Sequence, residues 1–159
     1  MIFFDASALV KAYVREAGSP SVHGAIARHP GKLCLSRAVA LEVLSTFARK
    51  HRRDELTRAQ YRIARESFLE ELEVKFKLLE LNESDFIAAF TFVDTYRRAG
   101  VSPMDVLHIV TALQLDARID SQVAVASSDG PFLAVARGAG LPTFDPETQP
   151  LSTLMSLVQ

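Results

Sequence analysis

Four acids in this chain stand where a carboxylate needs a reason. Asp5 follows the apolar run Ile2-Phe3-Phe4, and Asp129 follows Val123-Ala-Val-Ala126 after two serines. Asp105 opens the most apolar helical stretch, Val101-Ser-Pro-Met-Asp-Val-Leu-His-Ile-Val-Thr-Ala-Leu113. At about 3.6 residues per turn it shares a face with Ile109 and Ala112. Glu42 sits roughly 60° around its helix from Val39, on the margin of an apolar stripe. An ionised carboxylate in such surroundings needs a donor or a positive charge. Four brought together would repel, and some would be forced to protonate. A divalent cation removes that conflict. Mg²⁺ and Mn²⁺ prefer oxygen ligands, keep several waters, and bind through a few carboxylates plus substrate phosphate. Such a centre suits hydrolysis of a phosphodiester, with one metal or two.

Each acid also has a plainer account. Asp5 can be a turn residue, Asp129 an N-cap, and Glu42 a boundary residue in solvent. Asp105 can be half of a capping box with Ser102, where a carboxylate also suits the helix dipole. Separately these accounts are sufficient. Jointly they must explain two acids at strand ends and one in the most apolar helix.

The elements that would carry these acids alternate. Ile2–Phe4 reads as a strand ended by Asp5, with Ser7 capping a short helix from Ala8 to Val14. A helix over Pro20–Arg28 follows the Gly18-Ser19-Pro20 break. Lys32–Leu35 is the second strand, and Ser36 caps a helix over Arg37–His51. Thr57–Glu73 is a charged amphipathic helix with Tyr61, Phe68, Leu69 and Leu72 as its apolar positions. These two helices suggest a projecting hairpin with the basic turn Arg49-Lys-His-Arg-Arg53 between them. Phe76–Leu81 is a strand, and Asn82 caps a helix to Ala99, ended by Gly100. The central helix runs from Pro103 to Leu115, with Ser102 as its cap. Val123–Ala126 and Pro142–Phe144 are the last strands, joined by a short helix after Asp129. Strands alternating with helices, and no hairpin signal, predict a parallel sheet with helices on both faces. Beyond the carboxyl ends of such strands, all four acids would face one rim.

The totals bound the function. A chain of 159 residues predicts one domain, and 48% hydrophobic residues predict a real core. A net charge of −1 gives no broad basic surface for non-specific nucleic-acid binding. The single cysteine, Cys34 in Leu33-Cys-Leu35, rules out an intrachain disulfide and a Cys-rich zinc site, and reads as core. No apolar run spans a membrane and no signal peptide opens the sequence, so a cytoplasmic protein is expected.

At these residues the sequence resembles the PIN-domain ribonucleases of the VapC toxin type. The matching stretches are Phe4-Asp5-Ala-Ser7-Ala-Leu, Ser36-Arg-Ala-Val-Ala-Leu-Glu42-Val, Met104-Asp105-Val-Leu-His108-Ile-Val-Thr-Ala112, and Val125-Ala-Ser127-Ser-Asp129 followed by Phe132 and Gly140-Leu141. The resemblance covers nearly the whole chain and implies a single PIN-like domain over 1–159. The implied α/β fold is a three-layer α/β/α arrangement with a central parallel sheet flanked by helices. Asp5, Glu42, Asp105 and Asp129 would be its catalytic, metal-binding acids. Ser127 falls on the family's Thr/Ser-x-Asp position, in the less common serine form, and would orient Asp129 or a metal-bound water. Ser7 would hydrogen-bond within the site, although N-capping explains it equally well. His108, one turn beyond Asp105, reads as a satisfied core histidine rather than a ligand.

The resemblance further implies Mg²⁺ or Mn²⁺ dependence, RNA cleavage, homodimerisation, and inhibition by a cognate VapB-like antitoxin. Arg49, Lys50, Arg52, Arg53, Lys11 and Arg15 are the nearest candidates for RNA contact. Two other readings compete with this endoribonuclease. A phospho-aspartate phosphatase would place a second acid two residues beyond Asp5, where Ser7 stands. A non-catalytic PIN-like module binding RNA or protein would have no need of four acids.

Overall fold

The computed structural model describes residues 1–97 and 99–158. Among these residues five short strands form one wholly parallel sheet: β1 (Ile2–Phe4), β2 (Leu33–Ser36), β3 (Lys77–Leu79), β4 (Ala124–Ala126) and β5 (Thr143–Phe144). Their order is β3-β2-β1-β4-β5. β1, β2 and β4 are buried at every position, as central parallel strands require. The helices are α1 (Ala6–Leu9), α2 (Ser19–Arg28), α3 (Arg37–Arg52), α4 (Arg58–Lys75), α5 (Glu83–Tyr96), α6 (Pro103–Asp116), α7 (Gly130–Gly138) and α8 (Leu151–Leu157). A 3-10 turn, Val10–Ala12, extends α1. The predicted three-layer α/β/α arrangement is therefore present. No described helix is long and apolar enough to cross a membrane.

Topology explains where a site can form. The chain steps from β1 outward to β2 and β3, then returns to the other side of β1 for β4 and β5. With right-handed crossovers, α2, α3 and α4 lie on one face, and α6 and α7 on the other. Packing agrees: α3 touches α1 and α4, while α6 touches α5 and α7. The direction of winding reverses between β1 and β4. Beyond the carboxyl ends of these two strands the loops diverge and leave a crevice.

The local readings hold with definite exceptions. Ser36 caps α3 by accepting from Val39 N, and Thr57 forms a capping box with Gln60 at the start of α4. Asp5, not Ser7, caps α1, which begins two residues earlier than expected. On α4 the buried positions are Ala64 and Phe68, and Leu69 is exposed. α5 stops at Tyr96 rather than Ala99; Arg98, inside the predicted span, lies outside the described residues. α3 and α4 do form a hairpin, but α3 lies against the body of the domain rather than standing off it. Val39, Val43 and Phe47 are fully buried there. Tyr13, Phe47 and Phe68 meet edge-on with ring centroids 5.3–6.2 Å apart. Such pairs add about 0.5–1.5 kcal/mol each beyond simple burial. α8 was not expected. It docks on α2 at Gly24, where any Cβ would collide with Leu151.

Candidate active site

The crevice is a cavity of about 540 Å³, lined by Asp5, Glu42, Asp105 and Asp129 together. All four acids expected from the sequence thus meet at one rim, each delivered by a different element. Asp5 ends β1, Glu42 lies on α3, Asp105 is in the first turn of α6, and Asp129 caps α7.

Two serines build the floor. Asp5 Oδ2 accepts from Ser7 N at 3.1 Å, Ser7 Oγ at 2.6 Å and Ser127 Oγ at 2.9 Å. Each hydroxyl also accepts a backbone N–H from the loop after β4: Ser128 N at 2.9 Å for Ser7, and Asp129 N at 3.0 Å for Ser127. An ionised carboxylate only accepts. The two hydroxyls, 3.0 Å from each other, thus serve Asp5 on one side while both oxygens hold the loop that presents Asp129. Ser127 has no exposed surface, and Asp5 is 6% exposed. Of the two roles open to Ser7, capping and a hydrogen bond within the site, the structure has the second.

Glu42 is held in a parallel way. His108 is fully buried, and its Nε2 lies 2.8 Å from Glu42 Oε2. Its Nδ1 lies 3.3 Å from Ser36 Oγ. Because the carboxylate only accepts, Nε2 carries a proton and donates it, leaving Nδ1 to accept from the Ser36 hydroxyl. His108 is indeed a satisfied core histidine, but what satisfies it is a site acid. Sequence reading missed this link. The available signal was that His108 follows Asp105 by three residues on one helical face.

The other two acids are tied down by caps. Asp105 Oδ2 accepts from Ser102 N at 2.6 Å, completing a capping box, and Asp129 Oδ1 accepts from Phe132 N at 2.9 Å. The plain capping accounts are correct for both, yet each uses only one oxygen. Among the described residues the second oxygen of all four carboxylates has no protein hydrogen bond, and none is sealed from solvent. Ser128 Oγ, in the same wall, is buried with no partner at all. The donor set is all oxygen, as a hard divalent cation requires. The carboxylates line the cavity without closing up: no three His, Cys, Asp or Glu side chains among the described residues are near enough to share one metal ion.

A charged network closes the far end of the cavity. Lys11 is 4% exposed and bonds Glu16 at 3.1 Å and Glu147 at 2.6 Å. Lys50 forms ion pairs with Glu16 at 2.5 Å and with Glu55 at 3.0 Å. Burial pushes the Glu16 carboxyl up, but Lys50 and Lys11 together hold it below its ordinary value. Burial lowers Lys50, and Glu16 with Glu55 more than reverses this, leaving it above its ordinary value. Lys11 and Lys50 are thus each committed to two glutamates and are not the free cations that the sequence suggested for RNA. Cys34 is core as expected, and burial pushes its thiol up to about 12.

Comparison with known proteins agrees with this geometry. The sequence profile described as "PIN domain" matches residues 2–138. No curated protein sequence matches the chain. Among solved structures, FitAcB from Neisseria gonorrhoeae superposes with a TM-score of 0.68 at 15% identity, covering 94% of this chain and 100% of that one. FitAB bound to an IR36 DNA fragment superposes with a TM-score of 0.61, also at 15% identity, covering 94% and 98%. These likenesses extend over nearly the whole fold, and with the profile match they establish that the chain belongs to the PIN-domain family.

Proposed function

We propose that this protein is a divalent-metal-dependent endoribonuclease, the VapC-type toxin of a toxin–antitoxin pair acting in the cytoplasm. One observation carries the reading. Four carboxylates on four different elements line one crevice, and each has one oxygen anchored in the fold and one free. Asp5, Glu42, Asp105 and Asp129 would hold Mg²⁺ or Mn²⁺ through those free oxygens, which the ion would have to draw closer together than they stand in the structure. A cation so held would supply charge compensation and polarise the scissile phosphate. The remaining work falls to the chain's own residues. Ser7 and Ser127 fix Asp5, and His108 fixes Glu42, so neither acid must reorganise as substrate arrives.

The partners belong to the same proposal. A VapB-like antitoxin is supported by the sequence resemblance. A homodimer is supported by the apolar stripe Phe86, Ile87, Phe90 and Val93 exposed along α5. The nuclease is tested by incubating an end-labelled RNA pool with Mn²⁺, Mg²⁺ or EDTA, beside Asp105→Asn. Cleavage that requires metal and vanishes in the variant is expected. Cleavage surviving both EDTA and the substitution would refute the site. Mn²⁺ affinity unchanged by Asp105→Asn would instead favour the non-catalytic module.

A further inference from the structure

Positive charge in this molecule is concentrated in one place. Residues 49–65 hold seven Lys/Arg and two Asp/Glu, a net of +5, in a chain whose total is −1. The rest of the molecule therefore carries −6, and a basic stretch in that setting is a localised feature. It comprises the end of α3, the turn, and the start of α4. Lys50 is neutralised by Glu16 and Glu55. The arginines are not: Arg49, Arg52, Arg53, Arg58, Arg62 and Arg65 are exposed and form no ion pair among the described residues.

Their arrangement is ordered. Arg58, Arg62 and Arg65 stand at i, i+4 and i+7 on α4, one face, spanning roughly 10 Å. With Tyr61 they line a second cavity of about 660 Å³. Tyr61 stacks on His51 of α3 with ring centroids 5.2 Å apart, which ties this face to the end of α3. Arg49, in the last turn of α3, lines the catalytic cavity itself, with its guanidinium on Thr46 Oγ1 at 3.1 Å. Unpaired guanidinium groups thus run from the α4 face to the acidic centre.

We infer that the α3–α4 tip is the surface that holds the RNA strand, with Arg58, Arg62 and Arg65 gripping backbone phosphates outside the catalytic crevice. This rests on the nuclease reading above and gives it a path. The crevice carries an excess of acid that favours a polyanion only where a cation offsets it, so a separate basic face would add affinity along the rest of the strand. Guanidinium groups suit phosphate through paired N–H donors, and each phosphate neutralised on a single strand releases counterions.

The test measures binding without cleavage. Asp105→Asn protein is titrated against a fluorescein-labelled, mixed-sequence single-stranded RNA across a salt series, and against DNA of the same sequence. Arg58→Gln/Arg62→Gln/Arg65→Gln in that background should weaken RNA binding at least tenfold at low salt. It should also flatten the slope of log K against log salt by about 2, since each single-strand phosphate contact contributes about 0.7. A control of equal charge change at the opposite, amino-terminal edge of the sheet, Arg28→Gln/Lys32→Gln/Arg118→Gln, should leave the slope unchanged. Equal slopes for the two triple variants would overturn the proposal, as would a loss confined to the DNA arm. If the first triple variant does not fold, Arg62→Gln alone should lower the slope by about 0.7, and no change would overturn the proposal. Because this readout needs no turnover, failure of the nuclease assay and failure of the basic face remain distinguishable.

Discussion

His108→Leu is the sharpest perturbation of this site that leaves every acid in place. The imidazole is fully buried between Ser36 Oγ and Glu42 Oε2, with Phe3 alongside at a ring-centroid separation of 6.4 Å. Leucine fits the apolar surroundings but offers no donor. The lost contact is a hydrogen bond to a charged group, about 1.5–3 kcal/mol. Ser36 keeps its role as cap for Val39, so α3 still starts correctly, although its hydroxyl proton loses its acceptor. A melting temperature lower by roughly 4–8 °C corresponds to about 2 kcal/mol in a chain of this size. The functional effect is separate. Removing the partner that orients a metal-binding side chain typically lowers metal affinity or activity by about 10–100-fold. Calorimetric titration with Mn²⁺ reads this without turnover. His108→Gln should recover most of the affinity, because its amide N–H reaches about where Nε2 stood, whereas His108→Asn, being shorter, should not. Folded His108→Leu that binds Mn²⁺ and cuts RNA like the parent would refute the reasoning.

Three further outcomes are expected. Ser127→Ala removes a donor to Asp5 and the acceptor for Asp129 N at a site with no exposed surface; it should cost about 1–3 kcal/mol in chemical unfolding and reduce cleavage. Gly18→Ala should destabilise by about 1–3 kcal/mol, since φ is +83° and the new Cβ would stand 2.8 Å from the Pro146 backbone; thermal melts check this. The Glu16–Lys50 contact should show in the pH dependence of stability. Glu16 is depressed, so its contribution is complete above its ordinary value of 4.5 and is lost as pH falls through the lower folded value. Lys50 is raised, so its contribution is complete below 10.5 and is lost as pH rises through the higher folded value. The gap in melting temperature between wild type and Lys50→Met should be steady near neutrality and shrink at both extremes; a gap that ignores pH would contradict the pairing.

Much of this molecule is legible in its sequence because its strands are short, apolar and separated by capped helices. Ser36, Thr57, Ser102 and Asp129 each announce a helix start that the structure keeps. The four acids could be singled out because each breaks a local pattern of apolar residues. What escaped depends on contacts distant in sequence. Ser7 reads equally as a cap and as a hydrogen-bonding member of the site, and only the fold shows its hydroxyl serving both Asp5 and the loop some 120 residues away. The spacing from Asp105 turns His108 toward the site, but only the fold shows that its partner is Glu42, 66 positions earlier. Lys11 looks like a surface cation until folding brings Glu147 to it. Leu69 has the hydrophobicity of a core residue, but the stripe on α4 turns about Ala64 and Phe68 instead.

The pairing of β1 with β4 has a consequence for the order of events during synthesis. β1 is the middle strand of the sheet, and Ile2 pairs with Ala124. On a ribosome, the first strand can meet β2 early but must wait for residues beyond 120 before its other edge is covered. Ser127 reaches Asp5 only at that moment. Loop closure over such a distance is slow compared with local helix formation. The acidic centre therefore cannot be assembled on a nascent chain until most of the polypeptide has emerged. On the nuclease reading proposed above, the protein would stay inert beside the very RNA that encodes it for nearly the whole of its translation.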